Sequence, residues 1–206
     1  MHLSCKKAFF GSFVFDVCDE VYEPEEDSFL FAENLRVKRG SRVLDMGTGS
    51  GILGILAAEQ AEEVLAVDIN PLAIRCTKQN AKRNLTQANM YFLQGDLFAP
   101  IVQSVKFDLI LFNAPYLPSE KDEEDSWLGR SWTGGITGRA VIDRFISQVP
   151  PHLEEKGEIL LMQSNLAKVE KTKEKFLLLG MKTEAVARFD LPFFETLSLL
   201  KATFLS

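Results

Sequence analysis

Short apolar runs that alternate with stretches of helical periodicity limit this chain to a small set of architectures. Ser41 to Met46, Glu63 to Val67, Asn89 to Leu93, Phe107 to Phe112 and Gly157 to Met162 each have the length of a strand, with few polar residues inside. A strand apolar on both faces must be covered on both, which is the condition of a parallel sheet between helices. Ile52 to Glu59, Leu72 to Arg83 and Ala167 to Leu179 read as the helices that join such strands. Asn70 is placed to cap the second of these, Pro71 to open it, and Gly180 to end the third. Met181 to Phe189 and Thr196 to Phe204 break the rhythm. Only Asp190 to Glu195 lies between them, too little for a crossover helix, so they should pair antiparallel. The expected fold is α/β, a seven-stranded, mostly parallel sheet with a C-terminal antiparallel hairpin and helices on both faces. Upstream, Phe9 to Val17 alternates as a small half-exposed strand would, and Glu25 to Leu35 carries Phe29, Leu30 and Leu35 at helical spacing.

A chain of 206 residues with 46% hydrophobic content can bury one sizeable core, so residues 1–206 are expected to form a single domain, 1–36 being an N-terminal extension to it. The formal charge of −6 argues against a broad phosphate-binding surface and suits a basic protein partner. Cys5, Cys18 and Cys76 are scattered and odd in number, and His2 and His152 are the only histidines, so neither a disulfide framework nor a metal site is expected. No signal-peptide pattern and no membrane-length apolar run is seen, so the expectation is a soluble protein of the cytoplasm.

The chemistry is concentrated where the strands end. Asp45, Gly47, Gly49 and Gly51 form a DxGxGxG turn after the first run, which lets a ligand lie close to the backbone. A dinucleotide fingerprint would need a third glycine at position 52, which is Ile52, so a pyrophosphate is disfavoured. Asp45 also favours a cationic ligand by Coulomb attraction, and S-adenosylmethionine carries an ammonium and a sulfonium. Asp68 ends the second run, where a carboxylate can accept from both hydroxyls of a ribose. Asp96 and Leu97 follow the third, where an acid can meet an adenine amino group. Asn113, Ala114, Pro115 and Tyr116, reading NAPY, follow the fourth. Pro115 holds Ala114 extended, so its carbonyl and the side-chain oxygen of Asn113 offer two acceptors to one NH2 group beside the flat ring of Tyr116. Taken alone, NAPY also reads as a strand-end turn.

Glycine turn, ribose acid, adenine acid and NAPY, in that order after successive strands, resemble the class I S-adenosylmethionine-dependent methyltransferases, with a Rossmann-like fold. Within them the chain resembles the HemK-like protein-glutamine N5-methyltransferases over nearly its whole length. Tyr22 to Ser28, reading YEPEEDS, is similar to the segment that opens the short archaeal and eukaryotic branch. The resemblance implies that Ser28 touches the cofactor, as would Asp45, Gly47, Gly49, Asp68, Asp96, Leu97 and Asn113, and that residues 1–36 help to close the cofactor site. NAPY stands where the family has NPPY, so Ala114 replaces its first proline and Pro115 keeps its second. The implied catalytic set is Asn113, Ala114, Pro115 and Tyr116, with no metal. The implied reaction is methyl transfer to a glutamine side-chain nitrogen, with the GGQ motif of a peptide-chain release factor as the expected target.

Leu117 to Gly138 reads as one long loop, a length that usually carries function. Its acids Glu120 to Asp125 could attract a basic protein loop, Trp132 could wall the substrate pocket, and Gly134 and Gly135 could let a substrate backbone approach. In this fold the third strand lies at an edge, and Met90 to Leu93 lacks the Lys or Pro that blunts an open edge. The resemblance supplies a partner for it, a small zinc-binding activator subunit. Other readings are an adenine-N6 or guanine-N2 nucleic-acid methyltransferase, a protein-lysine methyltransferase, and a noncatalytic cofactor-binding subunit. Acidic charge and the lack of a target-recognition domain weigh against nucleic acid, and intact Asn113 and Tyr116 against a scaffold.

Overall fold

The structure, a computed structural model, describes residues 6–119 and 126–205; the acidic run Glu120 to Asp125 lies outside the described residues. Nine strands and six α-helices are present among them. The main sheet is built from β3 (Arg42–Met46), β4 (Glu63–Asp68), β5 (Met90–Gln94), β6 (Phe107–Asn113), β7 (Leu153–Ser164), β8 (Met181–Asp190) and β9 (Thr196–Phe204). Their spatial order is β5-β4-β3-β6-β7-β9-β8, parallel from β5 to β7, with β9 antiparallel to both of its neighbours. The chain enters at β3, works outward to β5 and returns to β6 beside β3. The β3–β6 boundary is thus a switch point, and in such sheets a crevice opens there at the carboxyl ends of the strands. Val43, Leu44 and Met46 of β3 and Leu109 to Phe112 of β6 are buried, as expected of central strands covered on both faces.

The helices are α1 (Glu26–Asn34), α2 (Ile52–Ala57), α3 (Pro71–Arg83), α4 (Trp127–Trp132), α5 (Ala140–Gln148) and α6 (Val169–Leu178). Asn70 caps α3 by accepting from Leu72 N, Pro71 stands at its start, and Gly180 follows α6 with φ +73°, a left-handed backbone that glycine adopts without strain. His152 is structural: it is buried, stacks on Phe98 with 4.7 Å between ring centroids, and sets Nδ1 3.0 Å from the Val105 carbonyl. No helix among the described residues is long and apolar enough to cross a membrane.

Three expectations are corrected. Phe9 to Val17 is no single strand but the larger part of a hairpin, β1 (Lys6–Phe10) and β2 (Phe13–Val17), which forms its own two-stranded sheet. Gly11, whose φ of +56° is left-handed, makes the turn between them. Leu117 to Gly138 is not one loop, because α4 lies within it, with Ser126 Oγ accepting from Gly129 N at 2.9 Å. Helix α5 was not anticipated at all, and β7 begins at Leu153 rather than Gly157.

The hairpin is fastened to the main body by two asparagines of α3. Asn80 Oδ1 accepts from Asp16 N at 2.8 Å and Asn84 Oδ1 from Val14 N at 3.1 Å, while their Nδ2 atoms donate to Asp16 O and Val14 O at 2.9 Å. Two side chains thereby supply the hydrogen bonds of a neighbouring strand. Asn80 Nδ2 also donates to Ser50 O at 2.8 Å, which ties the glycine turn to the same anchor.

Candidate active site

A cavity of about 990 Å3 opens where β3, β4, β5 and β6 end, and most of residues 17–28 line it from the N-terminal side. All the expected site residues line it: Ser28, Asp45, Gly47, Gly49, Asp68, Asp96, Leu97, Asn113, Ala114, Pro115, Tyr116 and Trp132. They fall into two groups of different construction.

On one side stand the glycine turn and the strand-end acids. Asp45 is buried, and its Oδ2 accepts from Thr48 Oγ1 at 2.6 Å and Gly54 N at 3.0 Å. It organises the turn as well as charging it. Burial pushes its carboxyl up to about 7 against those two bonds, so a proton on Asp45 and a cation in the cavity are alternatives. A Cβ on Gly54 would stand 2.6 Å from Asp45 Oδ2. Asp68 receives Gly49 N at 2.9 Å on Oδ2 and Asn70 N at 2.8 Å on Oδ1, and burial raises it to about 6. Leu97 is buried with φ +48°, so the floor beyond β5 carries backbone strain. Asp96 is half-exposed and ion-paired at 2.5 Å with Arg144 of α5.

On the other side, NAPY meets helix α1. Asp27 there is 4% exposed and is the hub of the arrangement. Its Oδ1 accepts from Tyr22 Oη at 3.1 Å, Ser28 N at 2.5 Å and Ser28 Oγ at 3.1 Å. Its Oδ2 accepts from Asn113 Nδ2 and Tyr116 Oη, each at 3.1 Å. The second N–H of Asn113 Nδ2 reaches Ser28 Oγ at 3.2 Å. Both donors of the Asn113 amide are therefore engaged, and a carboxylate accepts only, so the amide cannot be reversed without setting two acceptors against each other. Asn113 Oδ1 is left buried with no partner. A buried acceptor without a donor is costly, and such an atom in a cavity awaits a ligand N–H. Burial, and next the charge of Asp27, push the Tyr116 hydroxyl far up from its usual range, so it stays a donor.

The segment after α4 closes behind this group. Leu117 N donates to Trp132 O and Gly134 N to Leu117 O, both at 2.9 Å. A Cβ on Gly134 would lie 2.4 Å from the Gly138 backbone, and one on Gly138 2.3 Å from Tyr116 O. Gly134 is thus required for the chain's own packing, and the expectation that it admits a substrate backbone is corrected; Gly135 and half-buried Trp132 do line the cavity. Sequence reasoning named Ser28 but missed Asp27, although YEPEEDS contains it. An acid on the inward face of α1, where burial needs a partner, was the available clue.

The chain matches the family described as Ribosomal protein L11 methyltransferase (PrmA) over residues 28–114, the glycine turn and strand ends included. It is 43% identical, over 85% of its length and 88% of the relative's, to a protein of Methanocaldococcus jannaschii assigned as a protein N5-glutamine methyltransferase. It is 32% identical to the human methyltransferase HEMK2 over 89% of this chain and 90% of that one. Among solved structures, the E. cuniculi Mtq2–Trm112 complex, responsible for methylation of the translation termination factor eRF1, superposes with a TM-score of 0.71 over 90% of this chain and 99% of that one at 23% identity, a likeness of fold. By sequence identity over most of both lengths, the chain belongs to the HemK-like protein N5-glutamine methyltransferases.

Proposed function

We propose that this enzyme methylates the side-chain nitrogen of the GGQ glutamine in a peptide-chain release factor, with S-adenosylmethionine as donor. The unpartnered Oδ1 of Asn113 is the observation that carries the reading. An amide nitrogen is a poor nucleophile because its lone pair is delocalised, so positioning and charge stabilisation have to supply the catalysis. Asn113 Oδ1 and the Ala114 carbonyl accept the two N–H bonds of the glutamine and stabilise positive charge developing on its nitrogen. Tyr116 offers its ring to the amide plane while its hydroxyl stays on Asp27. Pro115 fixes the direction of the Ala114 carbonyl, and Ala114 in place of proline leaves that carbonyl available.

The donor set of the cavity fits S-adenosylmethionine. Asp68, with lone pairs left after its two backbone bonds, suits the ribose hydroxyls; Gly47 and Gly49 allow close approach; Asp45 suits the cationic end; Ser28 and Leu97 complete the wall. Asp96 would divide its carboxylate between Arg144 and the adenine amino group. When bound, S-adenosylmethionine supplies an electrophilic methyl group on a sulfonium centre. Residues 17–28, which follow the part of β2 that Asn80 and Asn84 anchor, exclude water above it, which is the closing role of the N-terminal extension.

Partner and compartment follow from the same reading. Tyr91 and Leu93 of the edge strand β5 are 57% and 37% exposed, β5 itself carries no charged residue to blunt the edge, and the E. cuniculi relative is found in a complex with Trm112. A small zinc-binding activator of that kind covers β5 in this enzyme, and translation places it in the cytoplasm.

Labelled S-adenosylmethionine, presented with the chain, its activator and either a release factor or RNA and DNA, tests the reading. Label on the GGQ glutamine is expected. Label confined to nucleic acid, or to a lysine, would overturn it.

A further inference from the structure

The turn between β8 and β9 presents two phenylalanines to water at the mouth of the cavity. Phe193 and Phe194 are 97% and 96% exposed, and both have left-handed backbone, with φ of +61° and +63°. Such positions ordinarily take glycine or asparagine, and solvent-facing turns ordinarily take polar side chains. Phenylalanine is unfavourable on both counts, and it occurs twice in succession. The turn is also held rather than slack. Leu191 N donates to Glu195 O at 2.8 Å, Asn165 Nδ2 to Phe194 O at 3.0 Å, Thr196 N to Asn165 Oδ1 at 3.0 Å, and Thr196 Oγ1 to Asp190 Oδ1 at 2.8 Å. Four hydrogen bonds therefore keep a strained backbone in the one conformation that pushes both rings outward.

Position identifies the occupant. Strand β8 runs parallel to β7, so its carboxyl end lies at the same end of the sheet as the cavity. The two ends of the turn, Leu191 and Glu195, line the cavity itself. A polypeptide whose side chain reaches Asn113 has to pass this rim, whereas a methyl donor seated against β3 and β4 does not. The activator's edge, β5, lies six strands away, roughly 29 Å at about 4.8 Å per strand. Asp190 and Glu195 bracket the rings with carboxylates, and the chain is acidic throughout. That pairing of apolar rings with acids matches a polypeptide with an apolar side chain beside a basic one.

We propose that Phe193 and Phe194 form the docking shelf for the protein that carries the target glutamine, gripping an apolar side chain that flanks a basic residue near the glutamine. This rests on the glutamine reading above, and the test separates the two. The full chain with its activator and the double variant Phe193→Gly, Phe194→Gly, which removes both rings and suits the left-handed backbone, are assayed on a full-length release factor. A KM at least 10-fold higher is expected, with kcat and S-adenosylmethionine affinity within twofold of the parent and a Phe193→Leu, Phe194→Leu variant restoring KM to within threefold. An unchanged KM overturns the shelf while leaving the glutamine reading intact. So does an effect seen only as loss of a homodimer in sedimentation, or only as loss of binding to anionic lipid vesicles. Failure of the parent enzyme to label the release factor sinks the glutamine reading, irrespective of the variants.

Discussion

The two sides of the cavity are made in different ways. On the methyl-donor side the acids Asp45 and Asp68 are held largely by backbone N–H groups, those of Gly49, Gly54 and Asn70, all within 19 residues of their acceptors. On the acceptor side a single carboxylate, Asp27, holds side chains that lie 86 and 89 residues away, Asn113 and Tyr116. Backbone donors are present whatever the side chain, so the donor side depends on turn geometry and on the absence of Cβ atoms. A network of side chains depends on the identity of each member, and one altered atom can reverse an amide. Chemistry should therefore be fragile on the acceptor side, and folding and cofactor affinity on the donor side.

The largest expected effect is that of Asp27→Asn. The new NH2 group would face the Asn113 and Tyr116 donors, and Asn113 would turn to present Oδ1 to it, withdrawing the acceptor from the cavity. Lost orientation of this kind predicts a kcat about 10²- to 10³-fold lower, with cofactor affinity within threefold, measured by steady-state transfer and calorimetry. Gly54→Ala should do the reverse. Its Cβ would lie 2.6 Å from Asp45 Oδ2, and overpacking there is expected to destabilise the protein by about 2–3 kcal/mol, or roughly 5–10 °C in Tm. A normal Tm would mean that the donor side is less tightly built than described.

The donor side also carries a pH dependence of its own. The folded carboxyls of Asp45 and Asp68 lie at about 7 and about 6, both above the ordinary 3.8. Between those limits the folded chain holds protons that the unfolded chain has released, so stability falls as pH rises from about 4 and levels off above 7. Each group contributes up to about 1.4 kcal/mol per pH unit within its window. Thermal melts of the ligand-free chain from pH 5 to 8 should show this decline. Asp45→Asn, which retains an oxygen for Thr48 and Gly54, should remove its share, most visibly between pH 6 and 7.

The same contrast explains what the sequence disclosed. DxGxGxG, Asp68 and NAPY each stand directly at the end of an apolar run, so local spacing reveals them, and the strand order follows from apolar runs whose alternation with helices leaves few choices. Asp27 acts across the fold, and in YEPEEDS it is one acid among four. The hairpin β1–β2 reads as one strand because its turn, Gly11 and Ser12, is only two residues long and apolar residues flank it on both sides. Helices α4 and α5 are hidden in the sequence because the glycines between them, at 134, 135 and 138, signal a loop, whereas Gly134 and Gly138 serve to bring backbones together behind Tyr116. Gly134 shows the limit of composition: a glycine tells that something comes close, and not whether it is substrate or the chain itself.

The central claim, that the Asn113 oxygen is set aside for the substrate amide, is tested most directly by Asn113→Ala with transfer and cofactor binding measured on the same preparation. The account predicts transfer at least about 10²-fold lower with the S-adenosylmethionine Kd within threefold of the parent. Transfer that survives, or falls only in step with cofactor affinity, would contradict it.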